Sequence, residues 1–206
     1  MSNAIRIHRH PLSGHSHRVQ LLASLAGINH ELVDVDLMQG AHKKEPFTRL
    51  NPFGQVPVIE DGDIVVSDSN AILVYLARKY APSWLPQDAV AEAEVQKFLS
   101  IAAGEIAYGP AAARLITVFG AGLDPEFCAT VSATVLGKLE AHLDGREWLV
   151  GSTPTIADIS IYSYTAHAPE GNISLDAYPN VRALLARIEA LSGFVPMATT
   201  PIGLAA

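Results

Sequence analysis

The feature that most constrains the fold is a twenty-residue stretch, residues 51–70, that predicts a turn, two short strands and the start of a helix. Two β-branched runs flank Asp61-Gly62-Asp63, and this pattern predicts an antiparallel hairpin. Asp68-Ser69 then marks the N-terminus of a helix. Pro57 lies just before the first strand, where its missing N–H costs least, and the bond from Val56 is a candidate for the cis isomer. A cis bond would leave the N–H and C=O of Val56 outside the strand ladder.

The first 80 residues predict the element order β-α-β-α-β-β-α. Ile5 and Ile7 alternate with polar residues as a short strand, and a helix with apolar spacing follows and stops at Gly27. Residues 32–37 predict the second strand, which a right-handed crossover would bring back parallel to the first. The hairpin and a helix over residues 69–80 complete this unit.

The rest of the chain predicts helices only. Residues 81–86 carry two prolines and predict a linker, so we expect one domain over residues 1–80 and a second over residues 90–206. Asp124 with Pro125 predicts a helix start, and Thr155 with Asp158 has the spacing of a capping box. We interpret that box as structural rather than catalytic.

Composition narrows the class of protein. The 206 residues are 49% hydrophobic and 17% charged, which is typical of a packed, folded chain. The net charge of −7, without a long basic block, argues against nucleic acid or an anionic membrane as the partner. We see neither a signal peptide nor a membrane span in the sequence, and the single Cys128 suits a reducing compartment. We therefore expect a cytoplasmic protein.

The string from Gly40 to Pro57, with Gly-x-His-Lys-Lys followed by Asn-Pro-x-Gly-Gln-Val-Pro, resembles the cytosolic glutathione S-transferases. Within that family it is most similar to the phi-type and related bacterial enzymes, and the matching pieces run from about Ile5 to Pro196. The resemblance implies an α/β thioredoxin-like N-terminal domain, an all-α C-terminal domain and glutathione as co-substrate. It also implies a detoxifying transferase that forms homodimers, in which Phe53 either plugs the partner's helical domain or packs in its own core.

The turn at residues 10–16 lies where thioredoxin-like folds hold their reactive group. This chain has Ser13-Gly14-His15-Ser16 in place of Cys-x-x-Cys, so the reactive thiol has to come from the substrate. The hydroxyl of Ser13 can donate a hydrogen bond to a bound thiolate, and the His-Pro-x-Ser pattern resembles the phi-type turn in which serine activates the thiol. Ser16 and His15 are alternatives, as is a purely structural helix cap at Ser13.

The resemblance also assigns the contacts to the tripeptide. Ser69 would bind the γ-glutamyl carboxylate and Asp68 its ammonium, although the family more often has Glu before the serine. Val56 would pair with the cysteinyl amide. The assigned glutathione contacts are, besides Ser13, His42, Lys43, Gln55, Val56, Pro57, Asp68 and Ser69. His42 and Lys43 would face the glycine carboxylate, and the alternative is a solvated basic loop.

The second substrate leaves a weaker signal. An apolar pocket for a hydrophobic electrophile would be lined by Leu12, His15, Tyr108, Ala112 and Leu115. Four histidines surround the turn at residues 10–16, but no complete ligand set accompanies them and we expect no metal. The sequence thus predicts attack of a glutathione thiolate on a small electrophile. The alternatives are a glutathione-dependent isomerase, dehalogenase or peroxidase, or a non-catalytic binding module.

Overall fold

The computed structural model of the chain describes residues 4–206 and divides into two compact units. The first unit holds residues 4–83 with Ser192–Ala198, and the second holds Trp84–Leu191 with Thr199–Ala206. Residues 192–198 therefore belong with the first unit, whereas the sequence pattern predicts that all of residues 90–206 form the second domain. Val195 O accepts a hydrogen bond of 2.8 Å from His17 Nε2, which ties this segment to the first unit.

The first unit is built on a four-stranded sheet with the order β2-β1-β3-β4. Its strands are β1 (Ile5–Arg9), β2 (His30–Asp34), β3 (Val58–Asp61) and β4 (Ile64–Ser67). β1 pairs parallel with β2 and antiparallel with β3, and β3 pairs antiparallel with β4. The predicted crossover and hairpin are both present, and the turn between β3 and β4 uses Gly62 at a φ of +61°.

β2 differs from its predicted bounds, which were residues 32–37. Its pairing with β1 runs over five positions, from Ile5 opposite His30 to Arg9 opposite Asp34. The length of the partner strand therefore sets where β2 begins and ends, and the apolar pattern alone placed it too far along the chain.

Helices cover the sheet of the first unit. They are α1 (Gly14–Leu25), the single-turn α2 (Phe47–Leu50) and α3 (Ser69–Tyr80), and α1 packs against α3. Ile7, Val19 and Leu73 are fully buried in this core. A second cluster around Phe47 and Val58 fixes the segment that leads into the hairpin.

The regular elements of the second unit are all helices. Its helices are α4 (Ala89–Ala103), α5 (Ala112–Phe119), α6 (Pro125–His142), α7 (Ile156–Ala166) and α8 (Pro179–Glu189). A π-helical turn, Ala107–Ala111, precedes α5 and contains Pro110, whose ring nitrogen has no hydrogen to donate to the helix ladder. The helical segment from α4 to α5 is therefore interrupted at this turn.

Two predicted helix starts are confirmed in the second unit. Asp124 accepts hydrogen bonds from Glu126 N at 2.9 Å and Phe127 N at 3.2 Å at the start of α6. Thr155 and Asp158 form both halves of a capping box at the start of α7. Asp158 Oδ1 also accepts from Leu149 N at 2.9 Å, so this buried carboxylate joins two segments. Among residues 4–206, no helix combines the length and apolar character that crossing a membrane needs.

Candidate functional site

Ser13 caps the start of α1. Its Oγ accepts a hydrogen bond of 3.2 Å from Ser16 N, and its own N–H donates to His10 O at 2.9 Å. The side chain is half-buried, and it lies at the helix end where N–H groups and the helix dipole favour an anion. Because Oγ accepts from Ser16, its hydrogen can be directed at a bound group. The cap and a donor role toward a thiolate are therefore compatible on one hydroxyl.

The structure separates Ser13 from the two alternatives near it. Ser16 is fully buried, and its Oγ faces inward to accept a bond of 3.4 Å from His10 N. Burial, and then the charge of Arg18, lower the pKa of His15 to about 3. A group with so low a pKa is a weak base toward a thiol whose pKa is about 8.5. Ser16 is thus engaged in the interior, whereas a neutral His15 still has one ring N–H that can donate, as the Ser13 hydroxyl can.

Asp68, rather than Ser69, is the cap of α3. Its Oδ1 accepts from Asn70 N at 3.0 Å and from Ala71 N at 2.9 Å. Its φ of +73° lies in a region that non-glycine residues seldom occupy, and such strain often marks functional sites. Ser69 is the first residue of α3 and is buried, so its N–H belongs to the unpaired donors of the first helical turn.

The side chains of α1 and α3 meet at Ser69. His15 Nδ1 lies 3.2 Å from Ser69 Oγ, and Arg18 Nη1 donates to the same oxygen at 3.2 Å. The structure thus brings together two of the predicted residues, His15 and Ser69. Arg18 was not among the predicted site residues. The sequence signal for Arg18 is a basic side chain on the buried stripe of α1, four positions before Leu22.

The turn before β3 has the geometry that the sequence predicted. The Val56-Pro57 peptide bond is cis. The antiparallel register with β1 starts at Val58, so Val56 lies outside the ladder. Asn51, a buried residue absent from the predictions, holds this turn: its Nδ2 donates to Gln55 O at 2.8 Å and its Oδ1 accepts from Phe53 N at 3.1 Å.

His42 and Lys43 lie in a 3₁₀ turn beside Gly54. Lys43 Nζ donates to Gly54 O at 3.0 Å, and a Cβ at position 54 would come within 2.8 Å of His42 O. Burial, followed by the charge of Lys43, lowers the pKa of His42 and so favours its neutral form. The basic loop therefore packs on the turn that precedes β3, and it presents one charged and one neutral donor.

The five candidates for the electrophile pocket differ in exposure. In the first unit, Leu12 and His15 are half-buried. In the second unit, Tyr108 is 64% exposed and Leu115 is 41% exposed. Ala112 is buried in a cluster with Ala113 and Cys128, where its methyl group packs against other helices. Tyr108 and Leu115 are the two members of the second unit that offer side-chain surface.

The histidines around the first turn have separate partners. His8 Nε2 lies 2.6 Å from Glu60 Oε1, His10 Nδ1 accepts from Leu12 N, and His17 pairs with the backbone at Val195. Within residues 4–206, no three histidine, cysteine or acidic side chains are grouped as a metal site requires.

Comparison with known proteins finds matches in both units. The family profile of the glutathione S-transferase N-terminal domain matches residues 5–78, and that of the glutathione S-transferase C-terminal domain matches residues 122–194. Glutathione S-transferase 3 of Zea mays is 34% identical over 205 residues, which cover 92% of this chain and 91% of the maize protein. Glutathione S-transferase theta-1 of Bos taurus is 32% identical over 189 residues, covering 86% and 79% of the two chains.

Solved structures show the same fold. A glutathione S-transferase from Xanthobacter autotrophicus superposes with a TM-score of 0.87 at 31% identity, covering 94% of this chain and 97% of its own. A glutathione transferase homologue from Drosophila mojavensis with bound glutathione gives a TM-score of 0.85 at 25% identity, covering 93% and 90% of the two chains. These likenesses extend over both units.

Proposed function

The chain belongs to the glutathione S-transferase family and is a glutathione transferase, and on that premise we propose that Ser13 activates the thiol of glutathione. The observation that carries the proposal is the bond from Ser16 N to Ser13 Oγ, which fixes the hydroxyl at the N-terminus of α1. Lowering a thiol pKa by one to two units takes about 1.4–2.7 kcal/mol. One hydroxyl donor and a helix end supply about that much. On this proposal the enzyme would be a serine-type, phi-like transferase.

We propose that glutathione lies along the first unit from α1 to the turn before β3. Val56, outside the ladder and beside the cis Pro57, is suited to pair with the cysteinyl amide. Ser69, with Asp68 before it, is suited to the γ-glutamyl end, which Gln55 would also reach. A neighbour from Drosophila mojavensis that was solved with glutathione supports binding by this fold.

His42 and Lys43 complete the proposed glutathione site at the glycine end. Lys43 supplies a positive charge and His42 a neutral donor, and both are held beside Gly54. A carboxylate that meets both groups would gain one charge-assisted bond and one neutral bond.

The second substrate is proposed to be a small hydrophobic electrophile. Within the second unit, Tyr108 and Leu115 are the candidates whose side chains have exposed surface to offer such a substrate. The phenol of Tyr108, which is largely exposed, can donate to negative charge that develops on the electrophile. The relatives above are named as transferases, which places conjugation ahead of the isomerase, dehalogenase, peroxidase and non-catalytic alternatives.

We further propose that the enzyme is a homodimer. Phe53 is 80% exposed next to the turn before β3, so it does not pack in its own core. The second unit has a cleft of about 160 Å³ between α4 and α6, with the apolar Phe98, Ile101, Val135 and Leu139 at its base and Lys97, Glu105, Lys138 and His142 also in its lining. The exposed Phe53 ring of one copy would enter this cleft on another copy and be removed from water.

The cytoplasm is the compartment that we propose. The single cysteine of the chain, Cys128, is a buried free thiol whose pKa is raised by burial and by Asp124. A protein that relies on no internal disulfide is suited to reducing conditions.

The activity is tested by steady-state conjugation assays on a panel of aryl halides, epoxides and peroxides, each with and without glutathione. We expect at least one electrophile to react in a glutathione-dependent manner. Calorimetry should give a dissociation constant for glutathione in the micromolar to millimolar range, or about −4 to −8 kcal/mol. The absence of both heat and a thermal shift at saturating glutathione would contradict the proposed function.

A further inference from the structure

His17 is one of the four histidines around the first turn, and the proposed glutathione site gives it no role. It is 3% exposed on α1, one position after Ser16. Burying an imidazole costs free energy unless its polar atoms form hydrogen bonds, and an apolar side chain would fill the same space at lower cost. The position is therefore suited to a specific polar contact rather than to core packing alone.

His17 joins Ser13 to a distant part of the chain. Its backbone N–H donates to Ser13 O at 2.9 Å, which is the first hydrogen bond of the α1 ladder. Because a carbonyl only accepts, His17 Nε2 carries the hydrogen in its 2.8 Å bond to Val195 O. One residue thus holds the backbone of Ser13 on one side and a segment 178 positions further along the chain on the other.

A second hydrogen bond places the same segment on the same face of α1. Ser24 Oγ donates to Gly193 O at 2.6 Å. Ser24 lies about two helical turns after His17, so the two side chains project from one face of the helix. Residues 192–198, which are part of the first unit, therefore run back along α1 towards its first turn.

The segment approaches the helix closely enough to favour glycine at position 193. Gly193 has a φ of +88°, and a Cβ there would lie 3.0 Å from Ser24 O and 3.4 Å from the Cα of Leu25. Both of these neighbours are backbone atoms of α1, which cannot move aside as a flexible side chain would. Further along the segment, Met197 is 4% exposed. Residues 192–198 are therefore packed onto the first unit by burial as well as by hydrogen bonds.

We propose that residues 192–198 position Ser13, and that His17 is the positioning residue through which they hold the first turn of α1. This inference rests on the proposed function, since it concerns how the hydroxyl that activates the thiol is kept in place. A hydrogen bond weakens steeply as its angle closes, so a displaced first turn would weaken the bond from Ser13 to the thiolate. The contacts proposed for the rest of the tripeptide, at Val56 and Ser69, would remain.

The first test replaces the side chain of His17. The thiolate absorbance of bound glutathione is titrated against pH for the wild type, His17→Leu and His17→Gln, well below their melting temperatures. We expect His17→Leu to raise the pKa of the bound thiol, by less than Ser13→Ala does. Its kcat at pH 7 should fall by about threefold to thirtyfold, below the hundredfold that a misplacement of about 1 Å can cost. KM for glutathione should change by less than about twofold.

His17→Gln is the conservative variant. A glutamine amide can place an N–H near the position of Nε2 and donate to the carbonyl of Val195. We expect it to recover most of the thiol pKa and of kcat. A histidine that only supports the fold would lower the melting temperature in both variants without moving the pKa of the bound thiol.

The second test displaces the segment and leaves His17 in place. Gly193→Ala and Gly27→Ala are a matched pair, because both glycines have positive φ, but a Cβ at position 27 would meet nothing within 4 Å. Gly193→Ala should shift the bound-thiol pKa and kcat in the same direction as His17→Leu. Gly27→Ala should keep the wild-type values of both. If His17→Leu does not fold, this pair and His17→Gln carry the test.

The outcomes separate this inference from the proposed function. Wild-type titrations in His17→Leu and Gly193→Ala, together with a shifted titration in Ser13→Ala, would overturn the inference and leave the proposed function intact. Equal shifts in Gly193→Ala and Gly27→Ala would also overturn it, because strain at any glycine would then have the same effect. An unshifted titration in Ser13→Ala would overturn the role of Ser13 and the inference with it.

Discussion

Asp68 combines a helix-capping side chain with an unusual backbone conformation. It caps α3 through Oδ1, and it holds a φ of +73° that most side chains avoid. In the proposed site, the carboxylate of Asp68 also supplies the negative charge that faces the ammonium of glutathione. The cap and the charge can be separated experimentally, because asparagine caps helices and tolerates positive φ as well as aspartate does.

Asp68→Asn should keep the fold and lose affinity, whereas Asp68→Ala should lose both. We expect Asp68→Ala to weaken glutathione binding by about 1–3 kcal/mol through the lost charge-assisted bond. Asp68→Asn should weaken binding in the same direction with a melting temperature close to that of the wild type. Calorimetry and thermal unfolding of both variants provide the check. Wild-type affinity in Asp68→Asn would show that Asp68 is only a cap.

Single residues were predictable from the sequence where a local motif names them. Ser13 and Ser69 stand at helix starts that turn and capping patterns reveal, and cis Pro57 follows from its place before a strand. Asn51 was missed although its partners, Gln55 and Phe53, are local. Arg18 was missed because it is buried and its partners Ser69 and Asn70 lie 51 and 52 positions away. Only the folded chain brings those partners together.

At the scale of elements, Glu170 holds the C-terminal segment on the second unit. Its Oε2 accepts from Arg114 Nε at 2.7 Å and from Thr200 Oγ1 at 2.6 Å, and its Oε1 lies 2.6 Å from His167 Nδ1. The carboxylate is 2% exposed. A buried carboxylate whose two oxygens are this fully used is stabilising only while all of its partners remain.

Glu170→Gln should destabilise the enzyme strongly, because it removes the buried carboxylate that pairs with the buried guanidinium of Arg114. The expected loss in the free energy of unfolding is about 3–5 kcal/mol. Thr200→Val is the matched control, since it removes one donor and should cost about 1–2 kcal/mol. Urea denaturation at pH 7 measures both. A loss for Glu170→Gln no larger than that of Thr200→Val would contradict this account.

The same network makes stability fall in acid. Burial lowers the pKa of His167 despite the contact with Glu170. Burial alone would raise the pKa of Glu170, but hydrogen bonds from Thr200 and His167 and the charge of Arg114 hold it below its usual value. Both groups therefore take up protons more readily when unfolded. Unfolding free energy should begin to fall as the pH drops below 6.5, the ordinary value for histidine, and fall further below 4.5, that for glutamate. Denaturation curves across this range that are flat would contradict it.

The types of the helices and strands were predicted well, but their first and last residues were predicted less well. The helix caps at Asp124 and Thr155 were identified from sequence because capping is local. The ends of β2 were not, since pairing with β1 decides them. The π-helical turn at Ala107–Ala111 was also missed, because the sequence alone does not show how the packing of neighbouring residues accommodates Pro110 inside a helix.

For the whole molecule, the proposed dimer rests on exposed apolar surface. Phe53→Ala should shift the enzyme from dimer to monomer in sedimentation velocity at micromolar concentration, because the ring would no longer fill the cleft of a partner. Phe127, which is 56% exposed on α6, is the matched control, and Phe127→Ala should remain dimeric. A wild-type protein that sediments as a monomer would refute the dimer.

The central claim is that Ser13 stabilises the thiolate, and the ultraviolet absorbance of that thiolate tests it most directly. The titration is recorded against pH for glutathione bound to the wild type, Ser13→Ala, Ser16→Ala and His15→Ala. We predict that Ser13→Ala alone raises the pKa of bound glutathione substantially, and that its conjugation rate at pH 7 falls by about tenfold to a thousandfold while affinity changes little. A titration of Ser13→Ala that coincides with the wild type would contradict the claim, and a shift in Ser16→Ala or His15→Ala instead would move the assignment to that residue.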